Sequence, residues 1–349
     1  MDADRSEAPS PTHGEWTVAE ATERAMEMME EEGFFEGKDK SYIDHSREDL
    51  AIHFRHVIEA LNSGSRTLFA DYMQWNKVFF ESIGLGHIVE PTFRTIAEVL
   101  SEMGMGGGVE TVMRPVIRAY DSVSGQGSDF DEEAPMSDVA ALFTERLLGG
   151  DKEAAMRTVK DAMEDGATVA DVYKHVFQPS LRQVGHLWQT GEISVAKEHF
   201  FTSATQTIMA RLYPEIFANP PHKGKVVAVC VSGELHEMGI RMISDLLEMD
   251  GYDTTYLGAN TPAAAVVEAL KELNAEVLLA STTMTYHLDR LRSLISLVKG
   301  DDATKDAKVF VGGRPFIIDR DLWRSVGGDG MTADMEEAVM LVKQTLGDG

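Results

Sequence analysis

The 349-residue chain has a single cysteine, Cys230. An intrachain disulfide framework is therefore excluded, and a reducing, cytoplasmic location is expected. Basic residues are also scarce: 32 Lys and Arg stand against 58 Asp and Glu, a net charge of −26. Residues 1–50 alone hold 15 acids against 5 Lys and Arg. Nucleic-acid binders carry a basic patch or stripe, so this balance argues against direct nucleic-acid binding. Long hydrophobic runs are missing as well. No stretch approaches the ~20 apolar residues of a membrane span, and the N-terminus MDADRSEAPSPTHGEW is acidic and polar. Neither a signal peptide nor a membrane partner is expected. No GxGxxG follows the first strand-like run, which removes the dinucleotide-binding reading.

What is present divides into five stretches. Residues 1–46 read as an acidic, partly disordered segment with one helix, opened by a capping box at Thr17-Val18-Ala19-Glu20. Phe34–Asp44 reads as irregular. Residues 47–121 read as a helical module whose amphipathic segments carry aromatic faces. His53, His56, Arg66, Arg94, Arg114 and Arg118 there could face an anionic ligand. Residues 122–138 (SVSGQGSDFDEEAPMSD) are Gly-, Ser- and acid-rich and aperiodic, as a linker is. Residues 139–218 hold four helical segments with short separators, which predicts a four-helix bundle with Pro179 at a helix start or kink. In residues 224–349 strands alternate with helices, which predicts a doubly wound, Rossmann-like or flavodoxin-like parallel sheet. The fold class expected is thus α plus α/β.

Chemistry concentrates in Val226–Gly239, VVAVCVSGELHEMG. The β-branched run Val226–Val231 reads as a strand buried on both faces. Glu234 and His236 follow at its carboxyl end, where open α/β sheets place their ligands. Glu234 is placed to hold one imidazole nitrogen and leave the other for a metal. Cys230, inside the strand, reads as a small core residue. Two further elements fall at strand ends on the same sheet edge: Ser281-Thr282-Thr283, with 41 residues between Gly239 and Ser281, and Gly312-Gly313, with 28 residues between Thr283 and Gly312. Glycines there leave room for close approach of a bulky ligand.

This series resembles the D-x-H-x-x-G, S-x-L, G-G pattern of the cobalamin-binding domain shared by methionine synthase, corrinoid methyl carriers and cobalamin photoreceptors. The resemblance implies His236 as lower axial cobalt ligand, Glu234 as its hydrogen-bonded partner, and Ser281, Gly312 and Gly313 as contacts of the displaced nucleotide tail, with Gly239 and Thr283 also in the cofactor-binding site. Glu234 stands where the pattern has Asp, and Thr283 where it has Leu. Upstream, Trp188 followed after nine residues by Glu198-His199 resembles CarH-type adenosylcobalamin photoreceptors, in which these residues meet the upper face of the cofactor. Gln189 stands where some members have a His. The preceding helical module resembles that of photocobilins, which implies a non-covalent biliverdin at residues 47–121.

The expectation from these resemblances is a non-enzymatic light sensor. Its adenosylcobalamin would be photolysed, domain packing and homo-oligomeric state would change, and a downstream protein partner would respond. The alternative is a corrinoid methyl carrier that partners a methyltransferase. A mutase is excluded by length, because a (β/α)8 barrel needs about 250 residues of its own.

Overall fold

The computed structural model describes residues 16–122, 133–217 and 221–347. The chain divides into two compact units, residues 1–125 and 126–349.

The first unit is helical. Helices α1 (Val18–Glu31), α2 (Lys40–Asn62), α3 (Arg66–Ser82) and α4 (Gly86–Leu100) pack antiparallel in sequence order. The capping box at Thr17 and Glu20 forms as its sequence demands. Helix α2 starts earlier than the apolar pattern suggests. Asp39 caps it by accepting from the Tyr42 N–H at 2.9 Å, so part of the irregular stretch is helical. The core joins Phe54, Phe69 and Phe93 to two buried histidines. His53 Nδ1 lies 2.7 Å from the Tyr72 hydroxyl, and His56 stacks on the Tyr72 ring at 3.8 Å.

The second unit begins with the bundle: α5 (Ser137–Leu148), α6 (Lys152–Glu164), α7 (Val169–Val172), α8 (Gln178–Gln189) and α9 (Val195–Ala210). A π-turn, Tyr173–Phe177, joins α7 to α8 and ends two residues before Pro179. Proline has no N–H and its ring crowds the carbonyl four residues back, so the widened turn relieves both problems. The same device recurs in the first unit, where the π-turn Val109–Met113 precedes Pro115. The four helical segments of the bundle therefore form as expected, with the third broken at its proline.

The sheet domain follows. Strands β1 (Lys225–Cys230), β2 (Asp253–Tyr256), β3 (Val277–Ser281), β4 (Lys308–Gly312) and β5 (Gly330–Thr332) are all parallel, in the order β2-β1-β3-β4-β5. β1, β3 and β4 are almost wholly buried, which is why their sequences are unbroken apolar runs. Helices α10 (Met238–Met249) and α11 (Met335–Leu346) pack together against the sheet, as do α12 (Ala263–Leu273) and α13 (Leu288–Gly300). Right-handed crossovers from β1 to β2 and from β2 to β3 run in opposite directions along the sheet and so place α10 and α12 on opposite faces. The register aligns Cys230, Ser281, Gly312 and Thr332 in one row at the carboxyl edge.

The bundle lies on the α10 side. Its core of Phe143, Tyr173, Phe177 and Phe201 is continuous with Met242 and Met335. Polar ties reinforce the contact: Tyr173 Oη donates to Asp245 at 2.6 Å, Arg241 donates to the Tyr213 hydroxyl at 3.0 Å, and Lys174 pairs with Glu336 at 2.6 Å.

Candidate functional site

The loop after β1 is held by its neighbours before any ligand is considered. Gly233 adopts φ +84° and donates its N–H to Asn260 Oδ1 at 2.7 Å. The Asn260 N–H in turn donates to the Glu234 carbonyl at 3.0 Å. The Cys230 thiol lies 3.7 Å from the His236 carbonyl, to which it donates, and burial pushes that thiol up from its ordinary range. It is a packed core group rather than a thiolate.

Glu234 is the hub. Its side chain is fully buried, yet both oxygens are saturated. Oε1 accepts from the Leu235 and His236 N–H groups at 3.0 Å each and lies 2.6 Å from His236 Nδ1. Oε2 accepts from the Thr283 N–H at 2.8 Å and the Met284 N–H at 2.9 Å, and lies 3.1 Å from His287 Nδ1. Burial pushes the carboxyl up, but the hydrogen bonds from His236, His287 and Met284 outweigh it and hold Glu234 well below the usual carboxylate range. An ionised carboxylate only accepts, so each imidazole carries its proton on Nδ1.

His236 is consequently oriented. The Glu234 hydrogen bond raises its basicity against the opposing effect of burial, and Glu198 of the bundle adds in the same direction. The imidazole is 59% exposed, and its neighbour Leu235 is 72% exposed. Nε2 makes no hydrogen bond among the described residues. Glu237 secures the loop to the bundle, accepting from Gln206 and from the Tyr256 hydroxyl at 2.7 Å each.

The remaining sequence-predicted residues divide by role. Ser281 and Gly312 are register partners at the strand ends. Gly313 has φ +109°, and a Cβ there would lie 1.9 Å from the Thr282 carbonyl oxygen. Its glycine is thus dictated by the chain's own backbone, and a bulky ligand is not needed to explain it. A Cβ at Gly239 would meet nothing within 4 Å, so space is open there. Thr283 contributes its N–H to Glu234, while its neighbour Thr282 brings its hydroxyl 3.5 Å from the same carboxylate. Trp188 is half-buried near the end of α8, and Glu198 accepts from Thr202 at 2.9 Å while pairing with the exposed His199. Sequence reasoning missed His287, 53 positions from Glu234, because only the fold brings them together. Its one available signal was a His just past a strand end.

A metal fits this donor set in one way. Among the described residues no group of three or more His, Cys, Asp or Glu could hold a bare ion. An ion held by His236 alone brings its other ligands with it, as cobalt in a corrin ring does. In the first unit, Arg94 and Arg118 line one pocket with His87, Glu90, Tyr120 and Asp121. Arg66 donates to the Thr111 carbonyl, Arg94 pairs with Glu90, and Arg114 pairs with Glu110.

Residues 139–213 and 224–343 each match a family model described as a B12 binding domain. A corrinoid protein of Desulfitobacterium hafniense is 25% identical over 58% of this chain and 94% of its own length. A dimethylamine corrinoid protein of Methanosarcina mazei is 28% identical over the same shares. The structure of the Methanosarcina barkeri monomethylamine corrinoid protein aligns over 61% of this chain and 100% of that one, with a TM-score of 0.54 at 19% identity. These relatives overturn the photoreceptor expectation. The Trp188 and Glu198-His199 spacing is that of two helices flanking the turn at Thr190–Ser194, a local geometry that does not by itself specify a photoreceptor. Light sensing, the adenosyl form, biliverdin and a light-dependent oligomer all came with that resemblance and fall with it. No helix among the described residues is long and apolar enough to cross a membrane. Residues 139–343 form a cobalamin-binding module with the fold of the corrinoid proteins.

Proposed function

We propose that this chain is a corrinoid methyl carrier, cytoplasmic and not itself a catalyst, that offers its cofactor to a separate methyltransferase. The observation that carries this reading is His236: an exposed imidazole at the sheet's carboxyl edge, fixed at Nδ1 by a buried carboxylate, with no hydrogen bond at Nε2 among the described residues. The relatives' full-length match to the bundle and sheet supports the carrier over other cobalamin proteins.

When bound, the corrinoid supplies a cobalt that accepts and gives up methyl groups. His236 would hold that cobalt through Nε2, the ring nitrogen that Glu234 leaves open. Glu234 keeps the ring in the required tautomer and strengthens its donation. Gly239 would leave room beside the ligand, and the strand-end edge of Ser281, Gly312 and Gly313, with Thr283 beside it, would receive the nucleotide tail. Trp188, Glu198 and His199 would border the corrinoid from the bundle side. The names of the relatives point to methylated amines as the donor class.

The test is reconstitution. Protein refilled with hydroxocobalamin, reduced, and mixed with mono-, di- or trimethylamine and the matching methyltransferase is expected to show a stoichiometric corrinoid that gains one methyl group by mass spectrometry. Failure to retain cobalamin overturns the reading. Retention without methylation from any of the three amines overturns the amine donor.

A further inference from the structure

Glu237 follows His236 directly and is the half-in residue at the start of α10. A short acid at that position ordinarily caps its helix. Here α10 has no side-chain cap, and the Glu237 carboxylate reaches elsewhere. Oε1 accepts from Gln206 Nε2 on α9 of the bundle, and Oε2 accepts from the Tyr256 hydroxyl at the end of β2, at 2.7 Å each. One carboxylate thus bridges the bundle, the ligand loop and the sheet. The bridge sits at a boundary. Beyond it along α10, Met238 and Met242 pack against the bundle core, and Asp245 takes the Tyr173 hydroxyl. Before it, Leu235 and His236 are exposed. On α9, Glu198, Thr202 and Gln206 recur every four residues on one half-buried face. Glu198 lies two turns from Gln206, about 12 Å along the helix axis, and its charge reaches His236. Helix α9 therefore runs past the ligand loop, with Gln206 as its tie to that loop.

We propose that Glu237 is a positioning residue that fixes the gap between the bundle and the ligand loop, and through that gap sets how readily a small ligand or a partner methyltransferase reaches the corrinoid from the bundle side. This rests on the reading of His236 as the cobalt ligand. Both partners of Glu237 are donors, and a carboxylate accepts with both oxygens, so neither contact competes with the other. Hydrogen bonds to an ionised acceptor are about twice as strong as neutral ones. The apolar contact holds the bundle on the sheet domain with or without the bridge, because it continues through Met242 and Met335 into the bundle core. What the bridge adds is local. It holds the rim beside His236, where the apolar contact has ended. Losing it leaves the fold intact and lets the rim open.

Four variants separate the bridge from packing and from charge. Glu237→Asp keeps the charge, withdraws the carboxylate by one methylene and can cap α10, so the fold is retained. Gln206→Glu sets a second carboxylate against the first. Glu237→Gln keeps the reach: its amide oxygen accepts from Gln206 and its NH2 donates to the Tyr256 oxygen, since a hydroxyl accepts as well as donates. Gln206→Glu combined with Glu237→Gln reverses donor and acceptor across the same gap. The first measurement is hydrogen exchange of the apoprotein by mass spectrometry, over peptides from α9 and the start of α10. Exchange there is expected to quicken about tenfold or more in Glu237→Asp and Gln206→Glu, as loss of a hydrogen bond to a charged group implies. It should stay close to the parental rate in Glu237→Gln and in the double variant. The second is the rate at which azide binds protein-held aquocobalamin, followed by absorbance, expected to rise and recover in the same pattern. The third is the cobalt(II) EPR signal, in which the His236 nitrogen splitting is expected in every variant.

Parental azide rates in Glu237→Asp and Gln206→Glu overturn the proposal, because the bridge then does not govern access. Failure of the double variant to recover also overturns it, since the effect is then charge or packing rather than the pair. Loss of the His236 splitting in Gln206→Glu overturns it too, because the change then acts on the metal ligand and not on the gap. Should Gln206→Glu not fold, the comparison of Glu237→Asp with Glu237→Gln decides the question on the same readouts. If the parent itself retains no cobalamin, the carrier reading fails, and the apoprotein exchange still decides whether Glu237 holds the rim.

Discussion

Tyr173 and Asp245 join the bundle to the sheet domain through a hydrogen bond of 2.6 Å, with both side chains buried. Asp245 lies on α10, the helix that begins two residues after His236. Burial pushes its carboxyl up, and the Tyr173 hydroxyl and the Arg241 charge oppose that. Tyr173→Phe keeps the ring and strands the carboxylate. We expect a loss of about 1–3 kcal/mol in denaturant unfolding. The sign with pH follows from the direction of the shift. Without the hydroxyl the folded-state value rises further, so the deficit is largest above the ordinary carboxylate range and shrinks as Asp245 protonates at lower pH. Unfolding at several pH values checks this, and a pH-independent deficit would refute it.

Gly313 and Gly239 should behave oppositely. At Gly313 the positive φ and the 1.9 Å approach of a Cβ to the Thr282 oxygen strain any side chain. Gly313→Ala is expected to cost at least about 1–3 kcal/mol from the backbone alone. It should also disturb Thr283 and Met284, whose N–H groups hold Glu234. Gly239 has an ordinary φ and open space around its would-be Cβ. Gly239→Leu should unfold like the parent as apoprotein and bind cobalamin more weakly. Thermal melts with and without cobalamin compare the two; a destabilised Gly239→Leu apoprotein would show that the space is not open.

In the first unit, His53 is expected to make stability pH-dependent. Burial lowers it to about 4 from the usual value near 6.5. The unfolded chain therefore takes up a proton that the folded chain refuses, and stability falls as pH drops through that window. At 1.36 kcal/mol per pH unit, the ceiling is about 3 kcal/mol. The stabilisation is complete above pH 6.5. Unfolding of the full chain at pH 7.5 and pH 5 should show the loss, and His53→Phe should remove most of the dependence.

Much of this was legible beforehand, for reasons that can be named. β1, β3 and β4 are buried on both faces, so burial wrote itself into unbroken apolar runs. The turns at Gly191 and Gly313 carry positive φ and needed glycine. His287 was illegible because its partner is distant in sequence. The start of α2 is obscured because its first turns carry no apolar periodicity, although Asp39 caps the helix. The photoreceptor reading failed on a different ground. A nine-residue gap between Trp188 and Glu198 reports a helix hairpin, and hairpin geometry does not encode which group occupies the face it borders.

The last prediction separates the ligand from its holder. His236→Ala removes an exposed ring, and Glu234 keeps the Leu235, His236, Thr283 and Met284 N–H groups together with His287. The apoprotein should therefore lose about 1.5 kcal/mol, the worth of one hydrogen bond to a charged group, while cobalamin binding weakens at least about tenfold. Glu234→Gln is the harsher change although it conserves shape. Each oxygen of Glu234 faces three donors within 3.1 Å, so an amide NH2 meets donors whichever way it is turned. The donors facing it lose their acceptor in a buried site, at a cost of about 3 kcal/mol. Denaturant unfolding and cobalamin titration of both variants should give one that is mildly destabilised and binds weakly and one that is more strongly weakened in both. If Glu234→Gln is as stable as the parent, the carboxylate is not the hub of the loop, and the orientation of His236 has another source.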